Sequence, residues 1–84
     1  MRRGRSDLSD AFAAVLEKHR KARKLSRGAL AQKASLHQTY IGLVERGLRN
    51  PTLDTADLIS EALGLSLSKL ISEAEKLRRE SDSQ

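Results

Sequence analysis

The sequence has 84 residues and a net charge of +5, so it has room for one small domain and favours acidic partners. It contains no cysteine, which excludes a disulfide framework and a thiolate metal cluster. Its apolar runs are too short to cross a bilayer, and no apolar segment follows the arginines near the N-terminus. We therefore expect a cytoplasmic protein without a membrane partner.

The charge is unevenly distributed along the chain. Residues 1–17 are neutral, residues 18–49 carry +8 and residues 50–84 carry −3, and Glu45 is the single acid of the basic segment. This division is typical of a polyanion-binding surface with an acidic face turned away from it. The charge count alone is equally compatible with a solvated helix face. Only two aromatic residues are present, which argues against binding of single strands by stacking.

The composition predicts an all-α protein. Ala, Leu, Glu, Lys and Arg dominate, whereas proline and β-branched residues are scarce. We expect a flexible basic arm over residues 1–7, a helical domain over residues 8–79 and a polar, frayed tail over residues 80–84. The arginines of the arm could reach a DNA groove or backbone, or could serve only to keep the chain soluble.

The first predicted helix runs from Leu8 to Arg23, because apolar residues recur there with the helical period. Ser26 is a suitable N-cap for a short second helix over residues 27–33. Its predicted inward-facing residues are Leu30 and Ala31. The predicted inward-facing residues of the first helix are Leu8, Ala11, Phe12, Val15, Leu16 and Ala22.

The third predicted helix starts at His37 or Gln38 and ends at Arg46, with Gly47 closing it. Ile41 and Val44 are its inward pair. Residues 34–36 form a three-residue turn between the second and third helices. Two short helices joined so closely are typical of a helix-turn-helix unit, which here covers about residues 26–46.

Two further helices follow the loop at Asn50 and Pro51. Thr52 caps the fourth helix, residues 53–63, and Gly64 closes it. Ser66 caps the fifth. The predicted buried face of the fourth helix consists of Leu53, Ala56, Leu58, Ile59 and Leu63. On the fifth helix, one apolar stripe contains Leu67, Leu70, Ile71, Ala74 and Leu77, of which the first three are expected in the core.

The segment from Leu25 to Gly47, LSRGALAQKASLHQTYIGLVERG, and the LRNPTLDT after it resemble the XRE family of bacterial and phage regulators. These are lambda-repressor-like and Cro-like helix-turn-helix domains. The resemblance covers roughly residues 12–71. It implies a compact five-helix fold and a sequence-specific, double-stranded-DNA-binding regulator of transcription, acting as a homodimer on an inverted repeat.

In that family the third helix enters the major groove with its N-terminal residues on base edges. Carried over by position, the resemblance implies that His37, Gln38, Thr39 and Tyr40 read bases. Glutamine can bind adenine through two hydrogen bonds, and the threonine methyl can contact a thymine methyl. The implied contacts to the DNA backbone are Arg27, Gln32, Arg46 and Arg49.

The resemblance also implies an ion pair between Arg20 and Glu45, which would tie the first helix to the third. Two positions depart from the family pattern. Ser35 stands in the turn where the family usually has glycine, and Ala29 replaces the glutamate of a capping box. Gly42 loosens the third helix or permits close approach to the DNA backbone.

The apolar stripe of the fifth helix predicts a dimer interface that includes Ile71, Ala74 and Leu77. We expect no catalysis, no cofactor and no metal site, since His19 and His37 lack neighbouring ligands in the sequence. One alternative is an antitoxin that binds a toxin protein and represses its own operon. Another is a helical interaction module without a DNA role, which leaves the basic segment unexplained.

Overall fold

The computed structural model describes residues 7–82, which form five helices and no strand. This confirms the predicted all-α architecture. The helices are α1 (Asp7–Ala22), α2 (Arg27–Lys33), α3 (Tyr40–Glu45), α4 (Leu53–Ala62) and α5 (Leu67–Asp82). Among them, no helix is long and apolar enough to cross a membrane.

Three helices begin at the predicted caps. The Ser26 hydroxyl accepts the N–H of Ala29 at 3.0 Å, and the Thr52 hydroxyl accepts that of Thr55 at 3.1 Å. The Ser66 hydroxyl accepts the N–H of Lys69 at 3.1 Å. Each bond satisfies an N–H that the helix itself cannot pair, which fixes where the helix starts.

Four helix ends close with the same backbone arrangement. A residue with positive φ follows the last turn, and the residue after it donates its N–H to a carbonyl five positions earlier, a Schellman motif. Gly47 and Gly64 occupy two of these positions, each at φ 77°. Lys24 occupies the third, at φ 58°, and Ser35 the fourth, at φ 60°. Ser35 thus closes the turn between α2 and α3 although it has a side chain. The four closing bonds run from Leu25 to Arg20 (3.2 Å), Leu36 to Ala31 (2.8 Å), Leu48 to Leu43 (2.8 Å) and Leu65 to Ser60 (2.9 Å).

The core lies between α1 and α5, which pack most extensively, and α2, α3 and α4 close its remaining sides. Leu16, Leu30, Ile41, Ile59 and Leu70 have no exposed surface, so every helix contributes to one core. The other buried apolar residues are Ala11, Phe12, Ala13, Val15, Ala31, Ala34, Val44, Ala56, Leu63 and Ala74.

The prediction of a buried position was wrong for three apolar residues. Ala22 is exposed at the end of α1, and Leu53 is 76% exposed at the start of α4. Leu58, farther along α4, is 39% exposed. Helical periodicity marks a broad apolar stripe, but only the part of α4 that meets α5 and α2 is covered.

The ends of the domain also differ from the prediction. The polar tail expected from Glu80 is helical as far as Asp82, because α5 continues three residues into it. Most of the basic arm, and with it Arg2, Arg3 and Arg5, lies outside the described residues.

Candidate nucleic-acid interface

The α2–α3 pair presents a polar outer surface because its apolar residues face inward. Leu30 and Ala31 of α2 and Ile41 and Val44 of α3 are buried. The pair is too short to be stable alone, and the packing of α1 against α3 and of α4 against α2 holds it in position. Its outward-facing side chains are therefore fixed to a packed scaffold.

The predicted base-reading residues lie mainly before α3. Regular α-helix begins at Tyr40, three residues later than His37, where the prediction placed the earliest start. His37, Gln38 and Thr39 form the turn that leads into it, and all three are exposed. The N–H of Tyr40 bonds to the carbonyl of His37 at 2.9 Å, which keeps the turn continuous with the helix. Tyr40 is half-buried and packs against the core.

The His37 side chain folds back on this turn. Its Nδ1 accepts the backbone N–H of Thr39 at 3.2 Å and lies 2.9 Å from the Thr39 hydroxyl. The Thr39 side chain makes no capping hydrogen bond to α3. The imidazole of His37 thus supplies an acceptor to the backbone at the entrance of the helix.

Glu45, at the end of α3, joins three helices. Arg20 of α1 donates from Nε to Oε2 at 2.7 Å and from Nη2 to Oε1 at 3.0 Å. Arg27 of α2 donates from Nε to Oε1 at 2.8 Å. The structure therefore brings the predicted pair of Arg20 and Glu45 together and adds Arg27 to it.

The environment of this cluster is graded from buried to exposed. The side chain of Glu45 is 1% exposed and that of Arg20 is 9% exposed, whereas that of Arg27 is 42% exposed. The hydrogen bonds to Glu45 raise the pKa of Arg20 above its usual value, against the opposing effect of burial. Arg20 also donates from Nη1 to the carbonyl of Leu25 at 2.8 Å, which fixes the loop before α2.

Arg27 lies across α3 at Gly42. A Cβ at Gly42 would be 3.6 Å from Cδ of Arg27, an ordinary contact distance. The space above this glycine is thus occupied by an arginine of the same chain. The sequence suggested that Gly42 leaves room for the DNA backbone, and the structure places Arg27 there.

The other predicted backbone contacts flank the turn over residues 37–39. Gln32 is exposed on α2, and Arg46 and Arg49 are exposed in and after the turn that ends α3. Gln32 and Gln38 line one groove, together with Leu36 and the start of α2. A predicted backbone contact and a predicted base contact therefore share a continuous polar surface.

The predicted dimer residues do not form one surface. Ala74 is fully buried between α5 and the rest of the core, which corrects the expectation that it contacts a partner. Residues three apart on a helix differ by about 60° in direction, so Ile71 and Leu77 emerge on opposite sides of Ala74. Ile71 lines a groove with Leu8, Phe12, Pro51, Leu53 and Ala56, and Leu77 lines another with Ala14 and Val15.

A polar cluster between α1 and α5 was not foreseen in the sequence. Nε2 of His19 lies 2.8 Å from Oε1 of Glu73, and Nη1 of Arg23 lies 3.3 Å from Nδ1 of His19. The arginine can only donate, so Nδ1 is the acceptor and Nε2–H donates to Glu73. This hydrogen bond lowers the pKa of Glu73 to about 2, assisted by Lys69 and Lys18 and opposed by burial.

Within residues 7–82, no cluster of three potential ligands could hold a metal ion. His19 forms hydrogen bonds with Glu73 and Arg23, and His37 forms hydrogen bonds with Thr39. The sequence offered only the spacing of four residues between His19 and Arg23 as a signal for the first cluster.

Comparisons with known proteins agree with this geometry. The helix-turn-helix family model HTH_3 matches residues 16–70. Control protein C.SmaI of Serratia marcescens is 40% identical over 65 residues, which cover 77% of each chain. The immunity repressor protein of Bacillus phage phi105 is 38% identical over 61 residues, 73% of this chain and 42% of the repressor. The crystal structure of the wild-type restriction-modification controller protein C.Esp1396I has a TM-score of 0.79 and 30% identity, and the match covers 86% of this chain and 95% of that one.

Proposed function

The chain belongs to the helix-turn-helix family HTH_3, and we propose that it regulates transcription by binding double-stranded DNA in a sequence-specific manner. Relatives named as control proteins and as a phage repressor support the regulatory role. The proposed base-reading residues are His37, Gln38, Thr39 and Tyr40.

One observation carries the proposal. The turn over residues 37–39 is exposed, yet it leads directly into α3, which is anchored by core packing and by a buried ion-pair cluster at its far end. Major-groove recognition requires side chains that are accessible and fixed relative to the backbone contacts. The surrounding segment of net charge +8 supplies the attraction to phosphates.

The backbone contacts divide into two kinds. Arg46 and Arg49 are exposed cations that fit phosphate binding directly. Arg27 donates from Nε to Glu45, and this hydrogen bond orients the guanidinium group. Its terminal nitrogens then remain for a phosphate. Gln32 lies beside Gln38 and would bind the backbone next to the base that Gln38 reads.

We also propose that the protein acts as a homodimer through the apolar groove around Leu53. This residue is 76% exposed, and its neighbours in the groove are the apolar side chains of Leu8, Phe12, Pro51 and Ile71. A contiguous apolar patch of this kind is typical of a surface that a protein partner covers. A symmetric pair would place two recognition helices about 34 Å apart, one DNA turn, and so read an inverted repeat.

The decisive experiment is selection of bound sequences from a random duplex library at near-physiological salt. The mass of the complex is measured alongside. An enriched inverted repeat with two protomers bound is the expected result. Salt-sensitive binding without enrichment would overturn the proposal and favour a chain that acts through a protein partner, such as an antitoxin.

Two variants distinguish base-specific contacts from the general attraction of the protein to DNA phosphates. Gln38→Ala combined with Thr39→Ala should abolish the preference for the selected sequence and leave the fold intact, because both side chains are exposed. Arg46→Ala should weaken binding to all sequences alike and reduce the salt dependence. If the double variant keeps its sequence preference, the assignment of the readers is wrong.

A further inference from the structure

We propose that His37 reads a purine through Nε2–H, which donates a hydrogen bond to N7 on the major-groove edge. The inference rests on the proposed DNA binding and specifies the chemistry of one reader. It is carried by the hydrogen bonds that occupy the other ring nitrogen of His37.

The backbone of Thr39 determines where the imidazole proton lies. A backbone N–H can only donate, and that of Thr39 points to Nδ1 of His37 at 3.2 Å. Nδ1 must therefore hold a lone pair. A neutral imidazole carries one proton, so that proton is on Nε2.

The Thr39 hydroxyl is compatible with the same assignment. It lies 2.9 Å from Nδ1, and with a lone pair on Nδ1 the hydroxyl is the donor. The opposite tautomer would direct Nδ1–H toward the backbone N–H of Thr39, where two hydrogens repel. The backbone contact thus determines the tautomer, and both contacts to Thr39 determine the orientation of the ring.

Nε2 is the atom left for a ligand. His37 is exposed, and no hydrogen bond to its Nε2 is formed within the described part of the chain. The ring therefore presents a donor and no acceptor to its surroundings. This differs from Gln38, whose amide can both donate and accept.

The bases differ in whether their major-groove edges offer an acceptor to such a donor. Guanine offers N7 and O6 as acceptors, adenine offers N7 and thymine offers O4, whereas cytosine offers only its amino donor. A donor-only side chain is thus matched best by guanine and excludes cytosine. Thr39 donates its hydroxyl hydrogen to His37, and its methyl group is the part that suits contact with a thymine methyl.

The first measurement concerns the free protein and needs no DNA. Long-range proton–nitrogen NMR correlation of the imidazole at pH 8, where an ordinary histidine is neutral, identifies the tautomer. The expected result is a protonated Nε2 for His37 in the wild type. A protonated Nδ1 would overturn the proposal.

The second measurement replaces each purine of the selected operator with its 7-deaza analogue, one position at a time. We expect one position in each half-site at which loss of N7 weakens wild-type binding about tenfold, and at which His37→Ala makes the analogue and the natural base equal. An enriched operator in which no purine behaves this way would overturn the readout while leaving the proposed function intact.

His37→Asn is the matched control for the turn. Its amide oxygen can accept the Thr39 N–H as Nδ1 does, but it places no donor where Nε2–H lies. It should therefore keep the unfolding midpoint of the wild type and lose the sensitivity to the 7-deaza analogue. Retained sensitivity would show that another side chain contacts that purine, which overturns the proposal. Failure to enrich any operator would instead contradict the proposed function.

Discussion

Glu45 is the residue on which the geometry of the interface most depends. Its carboxylate is almost fully buried and accepts hydrogen bonds from Arg20 and Arg27, so α1, α2 and α3 meet at one side chain. A buried carboxylate with two cationic donors has its desolvation offset by charge-assisted hydrogen bonds. Removing the negative charge leaves the buried Arg20 with only the Leu25 carbonyl and the carboxylate of Glu17, 4.0 Å away, to compensate it.

We expect Glu45→Gln to lower the free energy of unfolding by about 3 kcal/mol, because the side chain keeps its volume but the buried Arg20 loses its counter-charge. Urea denaturation followed by circular dichroism measures this loss. Arg27→Ala is the matched control and should cost less than about 1 kcal/mol, since its side chain is 42% exposed. Equal losses in the two variants would contradict the graded burial of the cluster.

The sequence predicted part of this residue-scale geometry. The pairing of Arg20 with Glu45 followed from the resemblance, and Glu45 stood out as the one acid of the basic segment. The participation of Arg27 could not be foreseen, because it depends on how α2 crosses α3 at Gly42. The hydrogen bonds between His37 and Thr39 depend on a rotamer, which a sequence pattern does not specify.

At the scale of elements, the helix ends show how local sequence fixes structure. In each of the four Schellman motifs, the residue that donates the closing hydrogen bond is a leucine. Leu25, Leu36 and Leu65 pack against the core, as the hydrophobic contact of this motif requires. Leu48 is 67% exposed and lies between Arg46 and Arg49, so it belongs to the surface of the proposed interface.

Glycine should stabilise the turn between α2 and α3. We expect Ser35→Gly to raise the free energy of unfolding by about 1 kcal/mol, because φ 60° is unfavourable for a residue with a Cβ. Gly64→Ala should lower it by a similar amount, since no atom lies within 4 Å of an added Cβ and only the backbone is strained. Thermal and urea denaturation of both variants test this pair, and a stabilised Gly64→Ala would refute the interpretation.

The pairing of α1 with α5 should depend on pH. The pKa of Glu73 is lowered from an ordinary 4.5 to about 2, chiefly by the hydrogen bond from His19. The ionised carboxylate therefore stabilises the fold above pH 4.5, and this contribution is lost as the pH falls toward about 2. We expect Glu73→Gln to cost about 1 kcal/mol at pH 7 and to have no effect well below pH 2, where the carboxyl of the wild type is protonated.

Urea denaturation at several pH values measures this difference. Glu75 is exposed on the same helix, so Glu75→Gln is the matched control and should leave the stability unchanged across the range. A difference between wild type and Glu73→Gln that is constant with pH would contradict the role of the ionised carboxylate.

At the scale of the whole molecule, the basic segment is separate from the apolar groove beside Leu53. The basic segment contains the end of α1, all of α2 and α3 and the turn after them, whereas α4 and α5 lie in the acidic segment. Leu53 stands at the start of α4, next to the apolar groove that includes Ile71. This arrangement leaves the acidic part of the molecule free to carry the contact with a second copy.

We expect Leu53→Ser to shift the protein toward the monomer and to lower operator affinity by tenfold or more, because the interface loses its most exposed leucine. Sedimentation equilibrium gives the mass and a titration gives the affinity. Leu58→Ser, on the same helix but outside the groove, should keep the mass of the wild type. A monomeric wild type would refute the proposed dimer, and a dimeric Leu53→Ser would move its interface elsewhere.

The sequence by itself determined the five helices and the N-terminal caps of three of them. These features depend on interactions within a few residues, such as the Ser26 cap and the positive φ at Gly47. The regular part of α3 is shorter than predicted, because residues 37–39 adopt a turn before the helix begins.

Only the tertiary structure decided which apolar residues are covered and which charges meet. Periodicity placed Leu53 in the core and Ala74 at an interface, and the packing of α4 and α5 reversed both. The burial of Glu45 beside two arginines and the bond between His19 and Glu73 join segments that are distant in the chain. Such contacts depend on the relative positions of whole helices, which local propensity does not encode.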